Sequence, residues 1–224
     1  MMNCDFCNEN IGVPTIYNEI YGEKQRTVYE SKTFKVFPCM GQLREGHLLI
    51  AAKAHVNSIG QLERSEQQEL EKIMAYVSDF YRKNYNMEAL CFEHGALNDS
   101  GQNGGCGIYH MHMHMVPIKR EEYAEIVNKV SSERENHLYN AAGVYDTSQY
   151  VREGRTYIFI EYIDQQSNIS SILVNDNNFF ESQYMRKIVG ETVHVKEWDW
   201  KKNKNVEPEF ICTLEKAKSF FEHL

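Results

Sequence analysis

Three histidines alternate with three methionines in the run Tyr-His-Met-His-Met-His-Met-Val-Pro at residues 109–117. In a β-strand a period of two puts His110, His112 and His114 on one face and the methionines on the other. Imidazole is a poor core filler, because each buried ring has to find hydrogen-bond partners. Three aligned rings therefore point to metal binding, to acid–base or nucleophilic chemistry, or to both. A neutral imidazole can attack phosphorus if its other nitrogen donates a proton to a fixed acceptor, and the central position makes His112 the nucleophile candidate. His114 would then donate to a phosphoryl oxygen and offset the charge that accumulates there. In the loop before the run, Gly104, Gly105 and Gly107 flank Cys106 and let backbone N–H groups approach an anion closely.

A second set of residues points to zinc. Cys4-Asp5-Phe6-Cys7 is a C-x-x-C knuckle placed before any expected regular structure, and it supplies two thiolates of a four-ligand site. His55 and one histidine of the triplet would complete a Cys2His2 set. Four protein ligands close such a site, so its role would be structural, pinning the N-terminal segment to the histidine strand. A redox C-x-x-C would be expected inside a thioredoxin-like unit, which the residues around Cys4 do not suggest.

These residues need a scaffold. Short strands are expected at residues 27–30 and 33–37, and a buried strand over 46–52 leads into Lys53 and His55. A long amphipathic helix follows over 65–85, with Leu70, Ile73, Met74, Val77, Phe80 and Tyr81 on one stripe. Residues 89–93 read as a strand, and 98–107 as a loop dense in Gly, Asn, Asp and Ser. Beyond the histidine strand come a helix at 120–131, a hairpin of 155–163 and 170–174, and a helix at 179–189. An extended stretch at 193–200 and a closing helix at 213–221 complete the chain. Strands and helices mix without regular β-α-β alternation, so the fold class is α+β. Gln183 and Arg186, three apart on the 179–189 helix, are candidates to reach a substrate phosphate.

The histidine run resembles the signature of the histidine triad family, His-φ-His-φ-His-φ-φ with φ apolar. The resemblance takes in Gly46-His47-Leu-Leu-Ile, Lys53-Ala-His55-Val and the Cys4-x-x-Cys7 knuckle, and covers roughly residues 1–118. Phe92-Glu93-His94-Gly95 and Gly105-Cys106-Gly107 look like a longer bacterial branch. The resemblance implies a five-stranded antiparallel sheet with a long packing helix in a domain of residues 1–118; residues 119–224, which the resemblance does not cover, are expected to form a C-terminal α+β extension packed on it. It implies zinc on Cys4, Cys7, His55 and His110, a covalent nucleotidyl intermediate on His112, and a phosphate contact from His114. His47, Glu93, Gly105, Cys106 and Gly107 would line the substrate site, and Gln183 and Arg186, read from their helical spacing alone, are expected beside them. The activity implied is that of a nucleotide-conjugate hydrolase or nucleotidyl transferase, of the phosphoramidase or dinucleoside polyphosphate hydrolase or phosphorylase type, with pairing into a homodimer.

Three departures from the family pattern bear on the pocket. Cys39 stands near the place of a ribose-holding carboxylate, Gly105-Cys106-Gly107 replaces Gly-Gln-Ser/Thr, and Glu93-His94-Gly95 replaces Asn-x-Gly. They motivate an alternative, a nucleotide- or partner-binding module of the same fold with little or no catalysis. A catalytic metal site would call for a second, carboxylate-rich cluster, which the sequence lacks.

The whole chain sets outer bounds. At 224 residues it fits one large domain, or a medium one with an extension. A net charge of −8 disfavours nucleic acid and anionic membrane surfaces as partners and leaves room for a local phosphate site. No apolar run approaches the roughly 20 residues that span a bilayer. The N-terminus has no signal-peptide pattern, and the six cysteines read as reduced thiols or metal ligands, so a cytoplasmic protein is expected.

Overall fold

The computed structural model describes residues 4–23, 25–98, 108–202 and 207–224. Its centre is α3 (Arg64–Tyr85), whose apolar stripe Leu70, Ile73, Met74, Val77, Phe80 and Tyr81 is buried as the spacing predicts. Each such side chain contributes about 2 kcal/mol relative to an exposed one. Glu63 and Glu66 form a capping box at the helix start, and Asn86 ends it in the left-handed region at φ 51°. The stripe lies on one face of the sheet, where the Tyr81 hydroxyl donates to the Met115 carbonyl at 2.7 Å.

Five strands come from the first half of the chain: β1 (Tyr29–Glu30), β2 (Phe34–Pro38), β3 (Leu48–Ala52), β4 (Glu88–Gly95) and β5 (His112–Ile118). They are antiparallel in the order β1-β2-β3-β5-β4, so the histidine strand is central. The second half extends this sheet. β7 (Tyr157–Ile163) pairs with β4 from Ala89↔Ile163 to Gly95↔Tyr157, and β8 (Asn168–Asn175) and β6 (Asn136–Ala141) follow outward, giving eight strands. The hairpin of β7 and β8 was expected; β6 was not.

Helices cover both faces. α3 and the end of α7 (Pro208–Phe221) pack on the face that carries Met113 and Met115. α4 (Arg120–Ser132) and α6 (Tyr184–Thr192) pack on the opposite face, against Leu90, Phe92, Val116 and Ile160. Three short helices were not anticipated: α1 (Asp5–Asn10), α2 (Ile16–Tyr21) and α5 (Thr147–Arg152). The extended stretch expected at 193–200 contains no strand. No described helix is long and apolar enough to cross a membrane.

Candidate active site and metal centre

β5 separates the two residue types as its alternation requires. Met111, Met113 and Met115 are fully buried in the α3 core. His112 and His114 face the other way, where their β3 neighbours are Ala51 and Leu49. His110 precedes the strand, in a bend. The Phe6 ring stands edge-on between His110 and His112, 5.5 and 5.4 Å from their centroids. On the far side, the Phe92 ring stacks on His114 at 4.6 Å and 8°. This packing restricts ring rotation, so hydrogen bonds fix which nitrogen carries each proton.

Nδ1 of His112 is 2.6 Å from the His110 carbonyl oxygen, to which it donates. In the neutral ring the lone pair is then on Nε2. A chain of donors sets His114. The Leu43 N–H donates to His47 Nδ1 at 3.3 Å, so the proton of the neutral His47 ring lies on Nε2. That Nε2–H donates to His114 Nδ1 at 2.9 Å, which places the His114 proton on its own Nε2. Burial, with the Arg186 charge nearby, holds both rings well below the ordinary histidine range, and both are neutral. Gly46, which precedes His47, needs to be glycine for the turn into β3: its φ is +99°, and a Cβ there would lie 2.9 Å from the Tyr85 ring.

The four expected zinc ligands come together. The Sγ atoms of Cys4 and Cys7 and one ring nitrogen each from His55 and His110 all lie within 4.8 Å of one another. Cys4 Sγ is 3.4 Å and Cys7 Sγ 3.5 Å from His110 Nδ1, and Cys7 Sγ is 3.2 Å from His55 Nδ1. Zn–S and Zn–N bonds of roughly 2.3 and 2.0 Å put adjacent ligands of a tetrahedral site roughly 3.5 Å apart, so the donor set fits zinc. The His110 Nε2–H donates to the Ala52 carbonyl at 2.6 Å and turns Nδ1 toward the sulfurs. The knuckle is helical and not irregular: Cys4 caps α1 and Cys7 lies within it.

A second group, Cys39, His47 and His114, is equally close-set. Its hydrogen-bonded histidine pair and the Arg186 Nη1 at 3.3 Å from Cys39 Sγ make it unfit for a cation. Burial pushes the Cys39 thiol up despite that guanidinium.

Of the two site residues expected beyond residue 118, one reaches the histidines directly. Arg186 is 2% exposed and lines the pocket over His112 and His114. Its Nη2 donates to the carbonyls of Gly41 at 2.6 Å and Trp198 at 2.9 Å, and its Nε to Trp198 at 3.2 Å. Among the described residues it forms no ion pair. Gln183 precedes α6 in a left-handed conformation, φ 63°, and is anchored to Asp199 at 2.7 Å, yet it still borders the histidine cleft.

Glu93 is not brought to this site. It lies on the α3 face of β4, where its carboxylate accepts from the Ile59 N–H at 2.8 Å and burial raises its pKa to about 7. Gly105, Cys106 and Gly107 lie outside the described residues.

Two residues escaped sequence reasoning. Arg26 lines the same pocket, ion-paired with Glu9 at 2.6 Å and stacked 4.1 Å over Phe37 and 4.7 Å over Tyr17. His94 shares the Phe92 face and borders the cleft beside His114. Alternation along β4 from Phe92 was the available signal for His94; none marked Arg26.

Comparison with known proteins gives concordant results. Residues 14–129 match the family model described as scavenger mRNA decapping enzyme C-term binding. The "Protein hit" of Bacillus subtilis (strain 168) is 24% identical over 115 residues, 51% of this chain and 70% of that protein. Among solved structures, a HIT family protein from Bacillus anthracis str. 'Ames Ancestor' is similar at 21% identity, over 54% of this chain and 76% of that one, with a TM-score of 0.41. A Zn-bound histidine triad family protein from Mycobacterium smegmatis is similar at 16% identity, over 68% and 92%, with a TM-score of 0.40.

Proposed function

Given that the chain belongs to the histidine triad family, we propose that it cleaves nucleotide conjugates through a covalent nucleotidyl intermediate on His112. The observation that carries this reading is the proton placement around the two histidines. The His110 carbonyl holds the Nδ1–H of His112 and leaves the Nε2 lone pair for attack on the α-phosphorus. The His47 relay presents the Nε2–H of His114 to a non-bridging oxygen, whose charge grows as the bond forms. The bond to the leaving group breaks with its electron pair. Water or another acceptor then attacks phosphorus, and the P–N bond electrons return to His112.

Residues 1–118 form the histidine triad domain, and residues 119–224 are an extension that brings Arg186 and Gln183 to its site. Cys4, Cys7, His55 and His110 would hold zinc, which supplies structural cross-linking and takes no part in the chemistry. The His110 carbonyl links the two functions, since its residue is a ligand and its backbone orients the nucleophile.

The test is intact-protein mass spectrometry after brief incubation with diadenosine tetraphosphate and with adenosine 5′-phosphoramidate, quenched without acid. Wild type, His112→Ala and His114→Ala are run together. A nucleotidyl increment on wild type or His114→Ala, absent from His112→Ala, is expected. Nucleotide binding with no adduct on any variant would move the assignment to a binding module.

A further inference from the structure

The turn that carries His47 is held from the opposite end of the chain. Gln42 and Thr213, 171 residues apart, meet beside it, and both are buried along with His47. Thr213 of α7 accepts the Gly46 N–H on Oγ1 at 2.7 Å and donates to Gln42 Oε1 at 3.0 Å. The same Oε1 accepts the His47 N–H at 3.1 Å, a proton shared with the Arg44 carbonyl. Gln42 Nε2 donates to the carbonyls of Cys39 at 2.6 Å and His47 at 2.9 Å. Those carbonyls can only accept, so they fix which end of the amide is nitrogen, and all of its hydrogen-bonding capacity is used. Glu207, the residue before α7, accepts the N–H groups of Gly41 at 2.7 Å and Gln42 at 3.2 Å.

This clamp surrounds one long hydrogen bond. The Leu43 N–H reaches His47 Nδ1 at 3.3 Å, just beyond the usual span of roughly 2.7–3.2 Å, and it sets where the His47 proton lies. In the other tautomer a proton on Nδ1 would face the Leu43 proton, and a bare His47 Nε2 would accept from His114 Nδ1. His114 would then turn a lone pair toward the pocket instead of a proton. Selection between the two states depends on how closely the Leu43 N–H approaches the His47 ring. Gln42 precedes Leu43 and Gly46 precedes His47, and the Thr213 hydroxyl bonds to both. The helix that supplies this hydroxyl is seated independently: Phe210 and Leu214 pack with Tyr17 and Tyr21, and Ala217 and Phe221 join the α3 core.

We propose that Thr213 and Gln42 are positioning residues through which α7 selects the tautomer of the His47–His114 pair, and so the donor that His114 offers to a substrate. The last clause rests on the reading of His114 as a phosphoryl donor; the selection of the tautomer does not.

Nuclear magnetic resonance of the full chain with 15N-labelled histidine rings tests this, because the nitrogen shifts separate protonated from unprotonated positions. Wild type, Thr213→Val, Thr213→Ala, Thr213→Ser and Gln42→Met are compared. Wild type should show His47 and His114 each protonated on Nε2 alone. Thr213→Val and Gln42→Met should give averaged shifts at these two rings, while His55, His110 and His112 keep their wild-type signals. Thr213→Ser should restore the single tautomer. Thr213→Ala serves in place of Thr213→Val if the valine does not fold. Single-turnover cleavage of adenosine 5′-phosphoramidate should fall roughly tenfold in Thr213→Val with KM within about twofold, and recover in Thr213→Ser. Unchanged His47 and His114 signals in both Thr213→Val and Gln42→Met would overturn the proposal, as would a shift of all the histidines together, the mark of general loosening. A tautomer that depends on Thr213 while the rate does not keeps the link from α7 and removes His114 from the proposed chemistry.

Discussion

Nε2 of His47 lies 2.9 Å from Nδ1 of His114, and neither ring carries a charge. The pair passes a donor direction from the Leu43 backbone to the pocket without moving a charge through a buried site. A cationic His114 would bind phosphate more strongly in the ground state as well as in the transition state. A neutral donor aimed at the developing oxyanion spends more of its effect on the transition state.

Replacing His47 with Phe removes the donor that sets the His114 tautomer and leaves the pocket lining intact. We expect a fall in the single-turnover rate of roughly 10- to 100-fold, the scale seen when a supporting hydrogen bond to a functional group is lost. KM should stay within a few-fold. A rate equal to wild type would show that His114 needs no such support.

Cys4→Ser should lower metal content below one zinc per chain and lower the melting midpoint by roughly 10 °C, since structural metal-binding energy is folding energy. Chelation of the wild type should reproduce the shift, and the variant should respond little to chelator. Elemental analysis beside a thermal melt decides it. Full zinc in Cys4→Ser would remove Cys4 from the ligand set.

Glu93 gives a signed pH effect. Its folded pKa of about 7 lies above the ordinary carboxylate value, so the folded chain keeps the proton longer than the unfolded one. The stability linked to that proton is fully present below about pH 4.5 and is lost as pH rises through about 7, to a total of roughly 3 kcal/mol. Glu93→Gln keeps an acceptor for the Ile59 N–H and removes the titration. Between pH 5 and pH 8 the wild type should lose stability relative to Glu93→Gln in denaturant titrations. A difference that stays constant with pH would contradict the raised pKa.

Arg186→Lys retains the charge and cannot reach Cys39 Sγ and the Gly41 and Trp198 carbonyls together. We expect KM for a nucleotide conjugate to rise about tenfold, with part of the effect arising from looser seating of Trp198. Unchanged KM would place the substrate phosphate elsewhere.

Much of the site was legible because one strand speaks twice. Alternation along β5 set the methionines against α3 and the histidines against the pocket, and both outcomes hold in the fold. The α3 stripe was equally plain, being amphipathic over 22 residues. Glu93 was harder to place. β4 lies inside the sheet with helices or strands on every side, so it shows no polar–apolar contrast to mark its faces. β6 was missed for a related reason. Its sequence Asn-His-Leu-Tyr-Asn-Ala lies at the sheet edge with mixed exposure and no clean period. α1 is six residues long, too short to be stable by propensity, and takes its shape from packing against Phe37 and the ligand cluster. Gln183 was read as helical, and its anchoring to Asp199 explains why it instead stands outside α6.

The two halves of the ligand cluster are made at different times. His110 follows Cys7 by 103 residues and Cys4 by 106. At ribosomal rates of roughly 5–20 residues per second, the dithiol leaves the ribosome roughly 5–20 s before the ring that completes its set. Throughout the synthesis of β1 to β4 the nascent chain carries a paired thiol with no closed coordination, open to oxidation or to loose metal capture. The cluster can close only when the segment leading into β5 emerges, so on the proposed zinc reading metal capture would coincide with assembly of the histidine strand, late in the birth of the protein.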